Sequence, residues 1–135
     1  MAWRFSTDRA DRALDVREAF LRVLHDGNDR VDTFIAHLIF TELVANVIRH
    51  TPGPIDIALD AAGDSLWLHV GDRGPPFELN PVIPAPHAER GRGLYLISQY
   101  AADLSVERTS EGNVVHVRLN PSVARDAAME QRQPV

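Results

Sequence analysis

The chain has 135 residues, the size of one compact domain and enough to bury a core. Its 44% hydrophobic and 24% charged residues are a globular balance, which argues against extended disorder and against a fibre. The absence of cysteine excludes disulfides and thiolate zinc sites, and a net charge of −5 disfavours long-range attraction to nucleic acid or an acidic membrane surface.

The first residues, Met1 to Ser6, lack an apolar run of signal-peptide length, and no stretch is long and apolar enough to span a bilayer, so a cytoplasmic location is expected. Residues 3–6 read as a short strand. Thr7 or Asp8 can then cap a helix in which Ala13, Leu14, Val16, Phe20, Leu21, Val23 and Leu24 recur at helical spacing, ending at Gly27-Asn28. A second helix is predicted from Asp29 or Val31 to His50. Val31, Phe34, Ile35, Leu38, Ile39, Leu43, Val44, Val47 and Ile48 cover most of its circumference, the mark of a central, largely buried helix.

Thr51-Pro52-Gly53-Pro54 stops that helix, because proline cannot continue it. The period then changes from helical to alternating. Ile55, Ile57 and Leu59, a turn at Ala62-Gly63-Asp64, and Leu66, Leu68 and Val70 within residues 65–71 predict an antiparallel hairpin. Residues 72–92 hold five prolines and two glycines, a composition of neither helix nor central strand, and a long loop inside a compact domain is a candidate binding loop or lid. A helix from Gly93 or Leu94 to Ala101 and strands at 103–108 and 114–119 follow, with a polar tail over 121–135. The order predicts one domain over 1–120 with an α+β fold, a two-layer sandwich of helices on one face of a mixed β-sheet.

Three features carry chemistry. Glu42, Asn46 and His50 stand four residues apart, a polar line on a helix otherwise almost wholly apolar. Such a line is satisfied by a ligand with a hydrated cation, by a structural hydrogen-bond network, or by solvent. Asp72-Arg73-Gly74 follows a hydrophobic strand: Asp72 can accept a hydrogen bond from an exocyclic amine and Gly74 permits close approach of a flat ring, although Asp-x-Gly also suits an ordinary turn. Arg90-Gly91-Arg92-Gly93-Leu94 places glycines at a helix start, where backbone N–H groups cradle phosphate, or form a simple hinge.

In this order and spacing the three features resemble the N box and the two glycine boxes of the Bergerat (GHKL) ATP-binding superfamily, over roughly residues 3–120. Within it, the runs Glu42 to His50 and Gly91 to Ile97 are similar to those of the short anti-sigma-factor serine/threonine kinases of bacterial partner switching. That resemblance implies ATP and Mg²⁺ as cofactors, with Asn46 on the metal and Asp72 reading the adenine amine. Gly74 would line the base, while Arg90, Gly91, Arg92, Gly93 and Leu94 would surround the phosphates, and Glu42 would act as general base. It further implies an anti-sigma-factor antagonist as protein substrate, a sigma factor as second partner, and homodimerisation. The alternative is a module that holds nucleotide and sequesters a partner without phosphorylating it.

The chain departs from the family where Pro76 replaces a glycine of the first box and where Gly112-Asn113 stands for a late Gly-Thr, so no role is carried to Asn113. His25, His37, His69, His87 and His116 show no metal-ligand spacing, and no transition metal is expected. Trp3 and Trp67 fall on strands and are expected in the core or an interface.

Overall fold

A computed structural model describes residues 2–27, 31–51, 53–63, 65–76 and 97–119. Its elements are strand β1 (Ala2–Thr7), a 3₁₀ helix (Ala10–Val16), helices α1 (Arg17–Gly27) and α2 (Thr33–His50), the hairpin β2 (Ile55–Ala62) and β3 (Ser65–Asp72), then β4 (Asp103–Arg108) and β5 (Asn113–Arg118). Ile97–Tyr100 is helical.

The five strands form one sheet in the order β1-β2-β3-β5-β4. Every pairing is antiparallel, where the sequence reading expected a mixed sheet. The reason lies in the connections. Two helical passes, α1 and α2, separate β1 from β2, and an odd number of reversals brings β2 in antiparallel. The β3-to-β4 connection makes these two strands run the same way, but β5 is inserted between them and pairs with both.

Alternation divides the sheet into two faces. Ile55, Ile57, Leu59, Leu66, Leu68, Val70, Val115 and Val117 point to one side and are buried. Against them pack Ala36, Ile39, Phe40, Leu43, Val44 and Val47 of α2, with Phe20 and Leu24 of α1. Phe20 and Phe40 stack with ring centroids 4.4 Å apart, and Trp3 of β1 tilts against Phe20 at 6.2 Å. Each fully buried side chain of this size contributes about 1.5–3 kcal/mol. Leu119 continues the seam beyond β5, its N–H donating to the Leu66 carbonyl at 2.9 Å.

Several boundaries differ from the sequence reading. The first helix is divided: neither Thr7 nor Asp8 caps it, and the chain runs as a 3₁₀ helix with Arg9 at its N-cap before α1 begins. Thr7 instead uses Oγ1 to accept from the Arg9 N–H. The second helix starts later, because the Asp32 carboxylate accepts from the N–H groups of Phe34 and Ile35 and so ends the extended segment there. Val31 remains outside it as a buried bridge residue. Phe34, expected on the apolar surface of the helix, is 73% exposed. Trp67 lies on the face of the sheet opposite α1 and α2, its ring parallel to that of His69, and is absent from the core cluster.

Candidate functional site

The site is built where β3 ends, where β5 begins and where α2 stops. The β3–β5 register sets Asp72 opposite Asn113, forty-one residues away in sequence. A tight turn delivers Asn113: Thr109 Oγ1 accepts from the N–H groups of Glu111 and Gly112, and the Thr109 N–H donates to the Gly112 carbonyl at 2.7 Å. Gly112 is required by proximity, because a Cβ there would overlap the Asp72 carbonyl oxygen and lie 2.8 Å from Arg73 Cα.

Asp72 and Asn113 are 8% and 2% exposed, so their polar atoms must find partners within the fold. Asp72 Oδ1 accepts from the Gly74 N–H at 2.8 Å and from Asn113 Nδ2 at 3.0 Å. The same Asn113 amide faces the Pro75 carbonyl at 2.9 Å and the Gly74 carbonyl at 3.3 Å, while its Oδ1 accepts from Arg108 at 3.2 Å. Arg108 also donates to the Gly74 carbonyl at 2.8 Å. The first turn of the proline-rich segment is therefore pinned on three sides, and the Asp72 carboxylate is held in one orientation. Arg73 turns outward instead, to Glu111 at 2.7 Å and Asp56 at 4.0 Å.

Gly74 joins this network to α2. A Cβ at Gly74 would sit 2.8 Å from Oγ1 and 3.0 Å from Cγ2 of Thr51, the buried C-cap residue of α2 whose N–H bonds the Val47 carbonyl. Only glycine lets the helix end and the strand end meet this closely. Glu42, Asn46 and His50 run along the half-buried flank of α2 toward that junction. The structure thus unites Asp72, Gly74 and the end of α2, and it adds Thr51, Arg108, Gly112 and Asn113, which the sequence reading did not include. Arg90, Gly91, Arg92, Gly93 and Leu94 lie outside the described residues.

The residues present fit the adenine end of a nucleotide. Among the described residues no donor is bonded to Asp72 Oδ2, so a buried carboxylate with one oxygen fixed keeps the other for an amine. Among the described residues no group of three or more His, Asp or Glu side chains is arranged to hold a metal ion.

Residues 5–119 match the histidine kinase-like ATPase domain family, and the chain belongs to that family, whose fold binds ATP. Among solved structures it is similar to the Acinetobacter baumannii histidine kinase AdeS, with a TM-score of 0.51 and 15% identity over 87% of this chain and 67% of that one. At that identity the likeness is one of fold. No curated protein matches. No helix among the described residues is long and apolar enough to cross a membrane.

Proposed function

We propose that the chain is an ATP-dependent serine/threonine protein kinase of a bacterial partner-switching system, which phosphorylates an anti-sigma-factor antagonist and also acts as an anti-sigma factor. The observation that carries the reading is the fixed Asp72 carboxylate at the junction with α2, the helix that presents Glu42 one turn before Asn46. Asp72 Oδ2 takes the adenine amine and Gly74 lets the base lie close to the backbone. Asn46 would offer its amide oxygen to Mg²⁺, while Gly91, Gly93 and Leu94 would supply N–H groups and Arg90 and Arg92 charge to the phosphates. When bound, Mg·ATP supplies the γ-phosphoryl group. Glu42 would accept the proton of the incoming serine or threonine hydroxyl as that oxygen takes the phosphoryl group and ADP leaves, and the neutral glutamic acid would then return the proton to solvent. A nucleotide site serving only to hold shape needs no such base.

Calorimetry with ATP and ADP, with and without Mg²⁺, tests the site. Asp72→Asn replaces one carboxylate oxygen by a donor, and loss of a charge-assisted hydrogen bond weakens binding by about 10- to 100-fold. Asn46→Ala abolishes the Mg²⁺ dependence. Glu42→Ala binds Mg·ATP normally and fails to transfer phosphate to the antagonist. Unaltered transfer in that variant removes Glu42 as the base, and absence of Mg²⁺-dependent binding in the wild type leaves a protein that acts by sequestering its partner.

A further inference from the structure

The face of the sheet opposite α1 and α2 carries a hydrogen-bonded chain that crosses four neighbouring strands. Asp60 of β2, His69 of β3, His116 of β5 and Glu107 of β4 follow one another in space. His69 Nε2 lies 3.2 Å from Asp60 Oδ2, the Nδ1 atoms of His69 and His116 are 2.7 Å apart, and His116 Nε2 lies 2.9 Å from Glu107 Oε1. The two histidines are direct cross-strand partners, with ring centroids 4.9 Å apart and edges turned together. Each side chain is 26% exposed, which leaves the pair partly screened from water yet open to proton exchange.

Counting protons shows what the chain requires. An ionised carboxylate only accepts, so each Nε2 must bear hydrogen to bond Asp60 or Glu107. A neutral imidazole has a single N–H. Two neutral histidines that satisfy both carboxylates therefore turn two bare Nδ1 lone pairs on each other at 2.7 Å, a separation that only a hydrogen bond accommodates. One added proton, shared between the Nδ1 atoms, completes all three contacts. A second sets N–H against N–H. A zinc ion does not fit the same gap, since Zn–N bonds of about 2.0–2.1 Å in tetrahedral geometry hold two nitrogens about 3.3 Å apart.

We propose that His69 and His116 form a one-proton site: a single shared proton between their Nδ1 atoms closes a clasp from β2 to β4, and the clasp opens when that proton leaves or when a second arrives. The surroundings support a single positive charge. Asp60 favours charge on His69 while Arg4 of β1 opposes it, and Glu107 sets a carboxylate against His116 Nε2. Arg118 of β5 is engaged with the Ala102 carbonyl, and Ser105, opposite His116, is uncharged. Burial first, and the charge of His116 second, push the His69 imidazole below the ordinary histidine range. The sign follows from linkage. Unfolded histidine takes its proton near pH ~6.5, more readily than folded His69, so stability falls as pH drops below that value. On the alkaline side the shared proton departs and the contact between the two Nδ1 atoms is lost.

The test is side-chain ¹⁵N NMR on the metal-free full chain between acid and alkaline pH. Near neutrality both Nε2 atoms are expected to carry hydrogen, and both Nδ1 resonances to lie between the protonated and bare positions. The thermal midpoint falls by a few degrees as the pH drops below ~6.5, and His69→Gln removes that fall. Because the NMR reading is taken on the wild type, a variant that fails to fold leaves the test intact. An Nε2 without hydrogen near neutral pH overturns the assignment, as do two Nδ1 signals that titrate independently. Uptake of one zinc ion per chain with loss of the Nδ1 proton also overturns it, making the cation a metal.

Discussion

Replacing Asn113 by alanine probes the junction most directly. The Asn113 amide has two N–H groups, and they serve the Asp72 carboxylate at 3.0 Å and the backbone carbonyls of Pro75 and Gly74 at 2.9 and 3.3 Å. A hydrogen bond to a charged group contributes about 1.5–3 kcal/mol and one to a neutral carbonyl about 0.5–1.5 kcal/mol. With the site 2% exposed, water cannot replace either without opening the turn. Asn113→Ala is therefore expected to cost about 2–4 kcal/mol, a large part of the ~5–15 kcal/mol of a domain this size. In urea, where the slope is about 1–3 kcal/mol/M, the midpoint falls by roughly 1–2 M with the slope unchanged. Released from one of its two donors, Asp72 also reorients, and Mg·ATP affinity drops at least ~10-fold. Asn113→Asp is the sharper variant. It sets a second carboxylate about 3 Å from Asp72, so it costs more than alanine at neutral pH and recovers as acid lets the two share a proton. A midpoint shift below ~0.3 M for Asn113→Ala, with affinity intact, would refute the reasoning that this amide holds the site.

Gly74→Ala drives its Cβ into Thr51 and is expected to cost about 1–3 kcal/mol, while Thr51→Ala in the same chain restores most of it; additive losses in that double-mutant cycle would show that the two do not share the space. Asp32→Ala removes the side-chain acceptor for two N–H groups of α2 and should lower stability by about 1 kcal/mol in denaturant titration. Arg9→Ala removes an exposed ion pair with Asp11 and should leave the denaturation midpoint nearly unchanged, so a clear fall would mean the pair does more than bridge the surface.

The hairpin of β2 and β3 was legible because alternation at Ile55, Ile57, Leu59, Leu66, Leu68 and Val70 admits one register with all six inside. Helix α2 was legible in type, but its start was not, since Asp29, Val31 and Asp32 all precede an apolar run and only the Asp32 cap geometry decides among them. The 3₁₀ segment leaves no periodic signal, because seven residues are too few to separate a spacing of three from one of 3.6. Within the candidate site, Asp72 and Gly74 stood out as a local motif. Asn113 was noted only as the counterpart of a late Gly-Thr and given no role, because that role comes from a strand pairing across forty-one residues that no spacing along the chain records. The same blindness hid His69 and His116, which looked like isolated histidines and are cross-strand partners.

The insertion of β5 between β3 and β4 has a consequence for synthesis. A nascent chain that has emerged only as far as Arg108 holds every described helix and four of the five strands, yet β3 and β4 then stand as two open edges with the central slot between them vacant. Neither the Asp72 junction nor the five-stranded sheet is complete until β5 has emerged. Until then β3 offers an unpaired edge, the kind of surface through which incomplete sheets associate.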